Sequence, residues 1–251
     1  MKRALAIALG AASLSAASAA WADWSIGGGF ENFRWKESTT PTVKESGLRW
    51  ALDLTWAQSK EPGLSVGYNL KFYQGSVDYT GSFQNGVPLS TNADYRGITN
   101  EIQTFWRTTS TVDAMLAAGW DRWERKFAVT AQQEDWDVLY VKLGASVAAN
   151  VKSGVIGSIG VKYPVWTREN GNFPSIGAVD NPRIRPGKAV SLYGTLGYRV
   201  NPRWDVIAYY DSFRFKRSND VAVLFPGFIE SRFQPESKMD VFGMKIQHNF
   251  Q

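Results

Sequence analysis

Cysteine is absent from these 251 residues, so neither disulfides nor thiolate chemistry can contribute. Histidine occurs once, at His248, which leaves most of the chain without the commonest general base and metal ligand. No run of about eighteen apolar residues exists, and that excludes a helical membrane protein. Charge of one sign is scarce too: 28 bases against 23 acids leave +5, too slight and too scattered for a nucleic-acid surface. Aromatic residues are abundant at 14%, with 11 Trp and 10 Tyr. Indole and phenol rings favour a membrane–water interface, although carbohydrate-binding β-proteins are also rich in them. A mean hydropathy of −0.27 is compatible with a membrane barrel, because lipid-facing and lumen-facing residues cancel in any sliding average.

Residues 1–22 read as a cleavable signal peptide. Lys2 and Arg3 supply the positive start, Ala4 to Leu14 the short apolar core, and Ala20-Trp21-Ala22 the small residues at the cleavage site. The mature domain is then 23–251, long enough for one large all-β domain, and loss of Lys2 and Arg3 lowers the net charge from +5 to +3.

The mature chain alternates apolar and polar residues in ten segments: 25–35, 48–57, 64–73, 98–107, 114–127, 137–147, 155–166, 190–200, 204–215 and 239–250. In 48–57, Leu48, Trp50, Leu52, Leu54 and Trp56 alternate with Arg49, Ala51, Asp53 and Thr55, which gives an extended chain one oily and one wet face. The register of 114–127 is ambiguous. Short connections (58–63, 109–112, 148–153, 201–203) alternate with long ones (36–47, 79–97, 128–135, 168–187, 217–238). Short periplasmic turns, long extracellular loops and an even strand count with both termini periplasmic describe an antiparallel up-and-down transmembrane β-barrel of ten strands. Two aromatic girdles follow: Trp24, Trp56, Trp106 and Trp204 at the periplasmic strand ends, and Trp35, Trp50, Trp123, Trp136 and Trp166 towards the outer side.

The signal, the meander and the aromatic-ended last strand, Val241-Phe242-Gly243-Met244-Lys245-Ile246-Gln247-His248-Asn249-Phe250, resemble the Gram-negative outer-membrane β-barrel superfamily. That resemblance implies insertion by the barrel-assembly machinery, which recognises a terminal strand ending in an aromatic, and contact with outer-membrane lipid and lipopolysaccharide. The chain departs from the pattern in two places. Gln251 follows Phe250, and Gly243 lies further from the end than the usual assembly signal places it.

With the oily faces outward, Arg49, Asp53, Lys71, Glu101, Arg107, Asp121, Lys142, Lys162, Arg199, Asp211 and Lys245 line the lumen. Seven bases to four acids in that set suggest a weakly anion-attracting pore or pocket. The narrowness of a ten-stranded barrel favours paired charges that fill it as a plug.

Catalysis is not expected. His248 sits at the periplasmic end and by parity with Phe250 faces lipid, whereas barrel proteases of the omptin type and outer-membrane lipid A enzymes need a histidine at the outer rim. A carboxylate-only mechanism through Asp78, Asp94 or Asp121 stays open. No metal or cofactor site is expected, because there is neither a Cys/His cluster nor an EF-hand-like run. Gly27-Gly28-Gly29 lies inside a strand and reads as relief of crowding where the first strand meets the last.

The last long connection is unexpectedly apolar. Leu224, Phe225, Phe228 and Ile229 form a possible lid over the mouth, or else pack on neighbouring loops. Arg168, Arg183 and Arg185 could meet lipopolysaccharide phosphates. The function expected is a non-enzymatic, small porin-like or surface-interaction protein. The alternatives are a barrel enzyme acting on lipid A or surface peptides, and a soluble periplasmic lipocalin-like barrel with its apolar face inside. Neither a transported solute nor a surface ligand is identified by the residues.

Overall fold

The computed structural model describes residues 22–61, 63–82, 87–129, 132–147 and 153–250. Apart from Ala22, the expected signal peptide lies outside the described residues.

Ten long strands close a barrel: β1 Ala22–Glu37, β2 Val43–Glu61, β3 Leu64–Ser82, β4 Pro88–Arg107, β5 Val112–Phe127, β6 Gln133–Val147, β7 Gly154–Asn170, β10 Ser191–Asn201, β11 Trp204–Lys216 and β14 Ser237–Phe250. Four short strands belong to the long connections: β8 Arg183–Ile184, β9 Gly187–Ala189, β12 Val221–Phe225 and β13 Phe228–Arg232. Every barrel strand is antiparallel to its neighbours in chain order, β7 passes to β10, β11 to β14, and β14 closes on β1 from Trp24↔Phe250 to Glu37↔Ser237. Closure removes the open edges that a membrane would not tolerate.

The wall is taller than the ten expected segments. The expected loop over 79–97 is largely strand, since β3 runs on to Ser82 and β4 begins at Pro88. The reason is a change of face. Along β3, Leu64, Val66, Tyr68, Leu70 and Phe72 point outward; beyond Phe72 the outward positions are Gln74, Ser76 and Asp78, while Tyr73, Val77 and Tyr79 are buried inside. Side-chain parity does not slip, but the apolar residues move from the even positions to the odd ones.

The same inversion occurs on β1 (Phe30 outside, then Phe33 and Trp35 inside), on β5 (Leu116 outside, then Trp123 and Phe127 inside) and on β11 (Val206 outside, then Phe213 and Phe215 inside). On β14, which runs the other way, Met239 and Val241 are inside and Phe242, Met244 and Ile246 outside. The structure therefore has two storeys. At the turn end the wall carries an apolar belt outside and polar groups within. At the loop end a crown carries polar groups outside and a buried aromatic core within.

That inversion corrects the outer girdle. Trp35, Trp123 and Trp136 are 2%, 2% and 0% exposed and face inward, because they stand in the crown, above the level where apolar residues seek lipid. Trp123 and Trp136 stack at 5.2 Å, and Trp35 meets Trp136 edge-on at 5.4 Å. Trp50 and Trp166 do face outward, Trp166 through the β-bulge at Leu139/Tyr140 between β6 and β7. Trp24, Trp56, Trp106 and Trp204 ring the turn end on the outward face.

Candidate functional site: the barrel interior

The belt-level interior is built from alternate residues of strands whose other faces are apolar. Glu31 on β1 is its centre: Arg49 Nη2 donates to it at 2.7 Å, Lys71 Nζ at 2.9 Å and the Tyr209 hydroxyl at 2.8 Å. Lys142 pairs with Glu101 at 2.7 Å, Lys162 with Asp211 at 2.7 Å and Lys245 with Asp53 at 3.3 Å. Asp121 accepts the Tyr73 hydroxyl at 2.8 Å. At the turn-end rim Arg107 pairs with Asp113, and Arg199 with Asp205 at 2.9 Å.

The structure thus places all eleven sequence-derived charges in the inward phase, with Arg107 half-exposed at the rim. The expected excess of base over acid does not hold. Glu31, Asp113 and Asp205 were missed, and with them each of the seven bases has a carboxylate partner.

Tyrosines tie this layer to the strands. Tyr73 stands opposite Gly97, Tyr140 opposite Gly119 and Tyr209 opposite Gly243, and a Cβ at any of these glycines would overlap the ring. Each hydroxyl then reaches a carboxylate on a strand beyond: Asp121, Glu101 at 2.7 Å, and Glu31. Gly243 therefore holds its place in the last strand for the Tyr209 ring. Gly29 answers the seam expectation, since a Cβ there would strike the Met244 backbone of β14.

The crown holds a second charged group that sequence reasoning missed. Arg125 on β5 pairs with Glu134 at 2.9 Å, Glu37 at 3.4 Å and Glu45. Tyr95 donates to Glu45 at 2.6 Å and the Trp35 indole to Glu37 at 2.9 Å. Glu169 is buried beside them with one carboxylate oxygen unpartnered. Three carboxylates thus share one guanidinium, and Glu169 adds a fourth negative group close by. Burial pushes Glu45 up to about 7 against the pull of Arg125. Burial, then Glu134 and Glu37, hold Glu169 well above the usual carboxylate range.

The remaining candidates do not converge on a reaction centre. His248 lies at the turn end on the outward face, edge-on to Trp204 and to Phe250 at 4.7 Å each. Asp78 and Asp94 are exposed on the outer wall. Arg168 is engaged by Asp137, and no set of three His, Asp or Glu side chains poised for a metal occurs among the described residues.

The apolar connection forms a β12–β13 hairpin. Val223 and Phe225 pack on Phe173 and Ile184 of the 171–186 connection, and Leu224 accepts from the Val179 amide at 2.7 Å. Of the possible lid residues, Phe225 is buried in this packing, while Leu224, Phe228 and Ile229 are exposed.

No protein-family model and no curated protein matches the chain. Among solved structures, the outer membrane protease OmpT from Escherichia coli is similar with a TM-score of 0.54 at 11% identity, over 93% of this chain and 98% of that one. The translocator domain of the autotransporter NalP from Neisseria meningitidis scores 0.47 at 10% identity, over 98% and 95%. The Pseudomonas putida toluene transporter TodX scores 0.39 at 10%, over 92% and 90%. The likeness to OmpT is one of fold alone, a closed antiparallel β-barrel.

Proposed function

We propose that the chain is a non-enzymatic outer-membrane barrel that acts through its loop end as a surface-interaction protein, with a lumen that is filled. One observation carries this reading: among the described residues, paired charges occupy the belt-level interior and aromatic rings the crown above it, an arrangement that suits a plug more than a channel. The apolar belt supports a lipid setting. Two long connections, 171–190 and 217–236, both at the end opposite the termini, support an outward-facing loop end and periplasmic termini. The exposed Leu224, Phe228 and Ile229 offer contact area there. The aromatic-ended last strand supports insertion by the barrel-assembly machinery.

Planar-bilayer recording of the purified protein tests this. No steady conductance is expected, and a stable stepwise open state would establish the porin-like reading instead.

The similarity in shape to a protease motivates a second reading, an enzyme acting on surface peptides or lipid A. A substrate at the loop end would meet carboxylates and no imidazole, since His248 is at the other end. Cells expressing the chain are expected to leave peptides uncut and the lipid A mass unchanged; a change in either would favour the enzyme. Release without detergent would favour the soluble lipocalin-like barrel.

A further inference from the structure

Above the belt the outer wall is polar, and on one side it is largely of one sign. On β11, β14, β1 and β2 the outward residues beyond Tyr210, Phe242, Phe30 and Leu48 include Arg214, Lys238, Arg34, Lys36 and Lys44. Register sets four of them in a single row: Lys44 opposite Lys36, Lys36 opposite Lys238, and Lys238 opposite Arg214. Like charges directly opposite one another destabilise a sheet, so folding alone supplies no reason for this row. Arg214 is satisfied by Asp240 at 2.5 Å. Lys36, Lys44 and Lys238 are exposed and have neither hydrogen bond nor ion pair among the described residues. The other acids on this side are Asp78, at the flank beyond Ser46, and Glu236, two residues nearer the loop tips.

Height selects among anions. Lys44, Lys238 and Arg214 each lie four residues past the last outward belt residue of their strand, Leu48, Phe242 and Tyr210, and Lys36 is level with Lys44 and Lys238 by register. At about 3.3 Å per residue on strands tilted roughly 40°, that puts the row on the order of 10 Å above the belt, with Arg34 below it. The polar layer of a phospholipid leaflet is only about 5–8 Å deep, so the row overshoots a phospholipid phosphate. A phosphorylated sugar headgroup extends further and carries several charges to meet several lysines.

We propose that the Lys36–Lys44–Lys238 row, with Arg34 beneath it, docks the phosphorylated saccharide headgroup of an outer-leaflet glycolipid, lipopolysaccharide. This rests on the outer-membrane reading with the loop end outward. Of the three arginines expected to meet lipid phosphates, Arg168 is occupied by Asp137, while Arg183 and Arg185 stay exposed; the row adds a second basic face astride the β14–β1 seam.

The test is titration of fluorescent lipopolysaccharide into the detergent-solubilised full-length protein, with phosphatidylethanolamine and heparin as competitors. The variants are the triple substitution Lys36→Ser, Lys44→Ser, Lys238→Ser, and Gln74→Ala on β3 as a control. At physiological salt the triple variant should bind on the order of a hundredfold more weakly and the control unchanged. Without glycolipid the triple variant should melt no lower than the parent, since only repulsion has been removed; this separates loss of binding from loss of fold. Binding by the triple variant within about threefold of the parent overturns the proposal. So does a parent chain that prefers phosphatidylethanolamine, or one from which heparin displaces lipopolysaccharide at equal charge; the latter would assign the row to a soluble polyanion. A parent chain that stays dispersed with neither detergent nor bilayer would sink the outer-membrane reading itself, whatever the row binds.

Discussion

Glu31 is itself fully buried and holds two cations, Arg49 and Lys71. Charges out of water are tolerated only while they are paired, and removing one partner costs more than the pair contributes. Glu31→Gln should therefore destabilise the folded barrel by about 3–5 kcal/mol in reversible urea unfolding from detergent or bilayer. A cost below about 1 kcal/mol would show that Arg49 and Lys71 find other acceptors. The residue was hard to pick out beforehand because Gly27, Gly28 and Gly29 precede it and remove the alternation that would have assigned its face.

Glu45 makes a different prediction, because its partners in the crown do not balance. Arg125 faces Glu45, Glu37, Glu134 and Glu169, with Tyr95 and Tyr79 alongside. A carboxyl at about 7 when folded, against 4.5 ordinarily, binds its proton more tightly in the folded crown. Its contribution is thus complete below about pH 4.5 and is lost as the pH climbs through 7. Crown stability should fall by on the order of 2–3 kcal/mol between pH 5 and 9, read as rising iodide quenching of Trp35, Trp123 and Trp136 fluorescence. Glu45→Gln should flatten that profile. An unchanged slope would place the titration on another group.

At the scale of the strand, one even–odd alternation runs through two solvents. On β3, Leu70 is outward within the belt and Asp78 is outward in the crown. Leu70→Arg should impair insertion, at about 2–4 kcal/mol for a cation near the bilayer midplane. Asp78→Arg, eight residues along the same face, should fold within about 0.5 kcal/mol of the parent. Heat-modifiable mobility of both variants on a gel is a sufficient readout. Normal insertion of the arginine at position 70 would overturn the belt.

This pair also marks what could be read from the chain. Strand number and the inward phase of Arg49 to Lys245 follow from period-two alternation in the belt, where one face must be oily. The expected rhythm of connections does not hold, because the strands run on into the crown: β1 to β2, β3 to β4 and β5 to β6 are joined by five residues each, and only 171–190 and 217–236 are long. The crown follows the opposite rule, so Trp35, Trp123 and Trp136 carried the expected composition of a girdle at positions of the other parity. The signal that could have found them is the step from Phe72 to Tyr73 and Val77, where the apolar series changes from even to odd. The Arg125 cluster was beyond reach of pattern alone, since Glu37, Glu45, Glu134 and Glu169 come from four strands and meet only through closure.

For the whole molecule, the proposed filled lumen turns on which part would seal the barrel. The β12–β13 hairpin rests on Phe173 and Ile184, outside the ring of wall residues that fill the crown. On the proposed filled-lumen reading the seal belongs to side chains of the wall itself: Trp123, Trp136, Phe213 and Phe215 from β5, β6 and β11. Replacing residues 219–233 with a short glycine–serine turn should leave the barrel assembled and bilayer conductance still absent, because the deletion touches none of these rings. It should also expose Phe173 and Ile184 and so raise binding of a hydrophobic dye at the loop end. A steady current from the shortened chain would make the hairpin a true lid, with the aromatic storey beneath it permeable once uncovered.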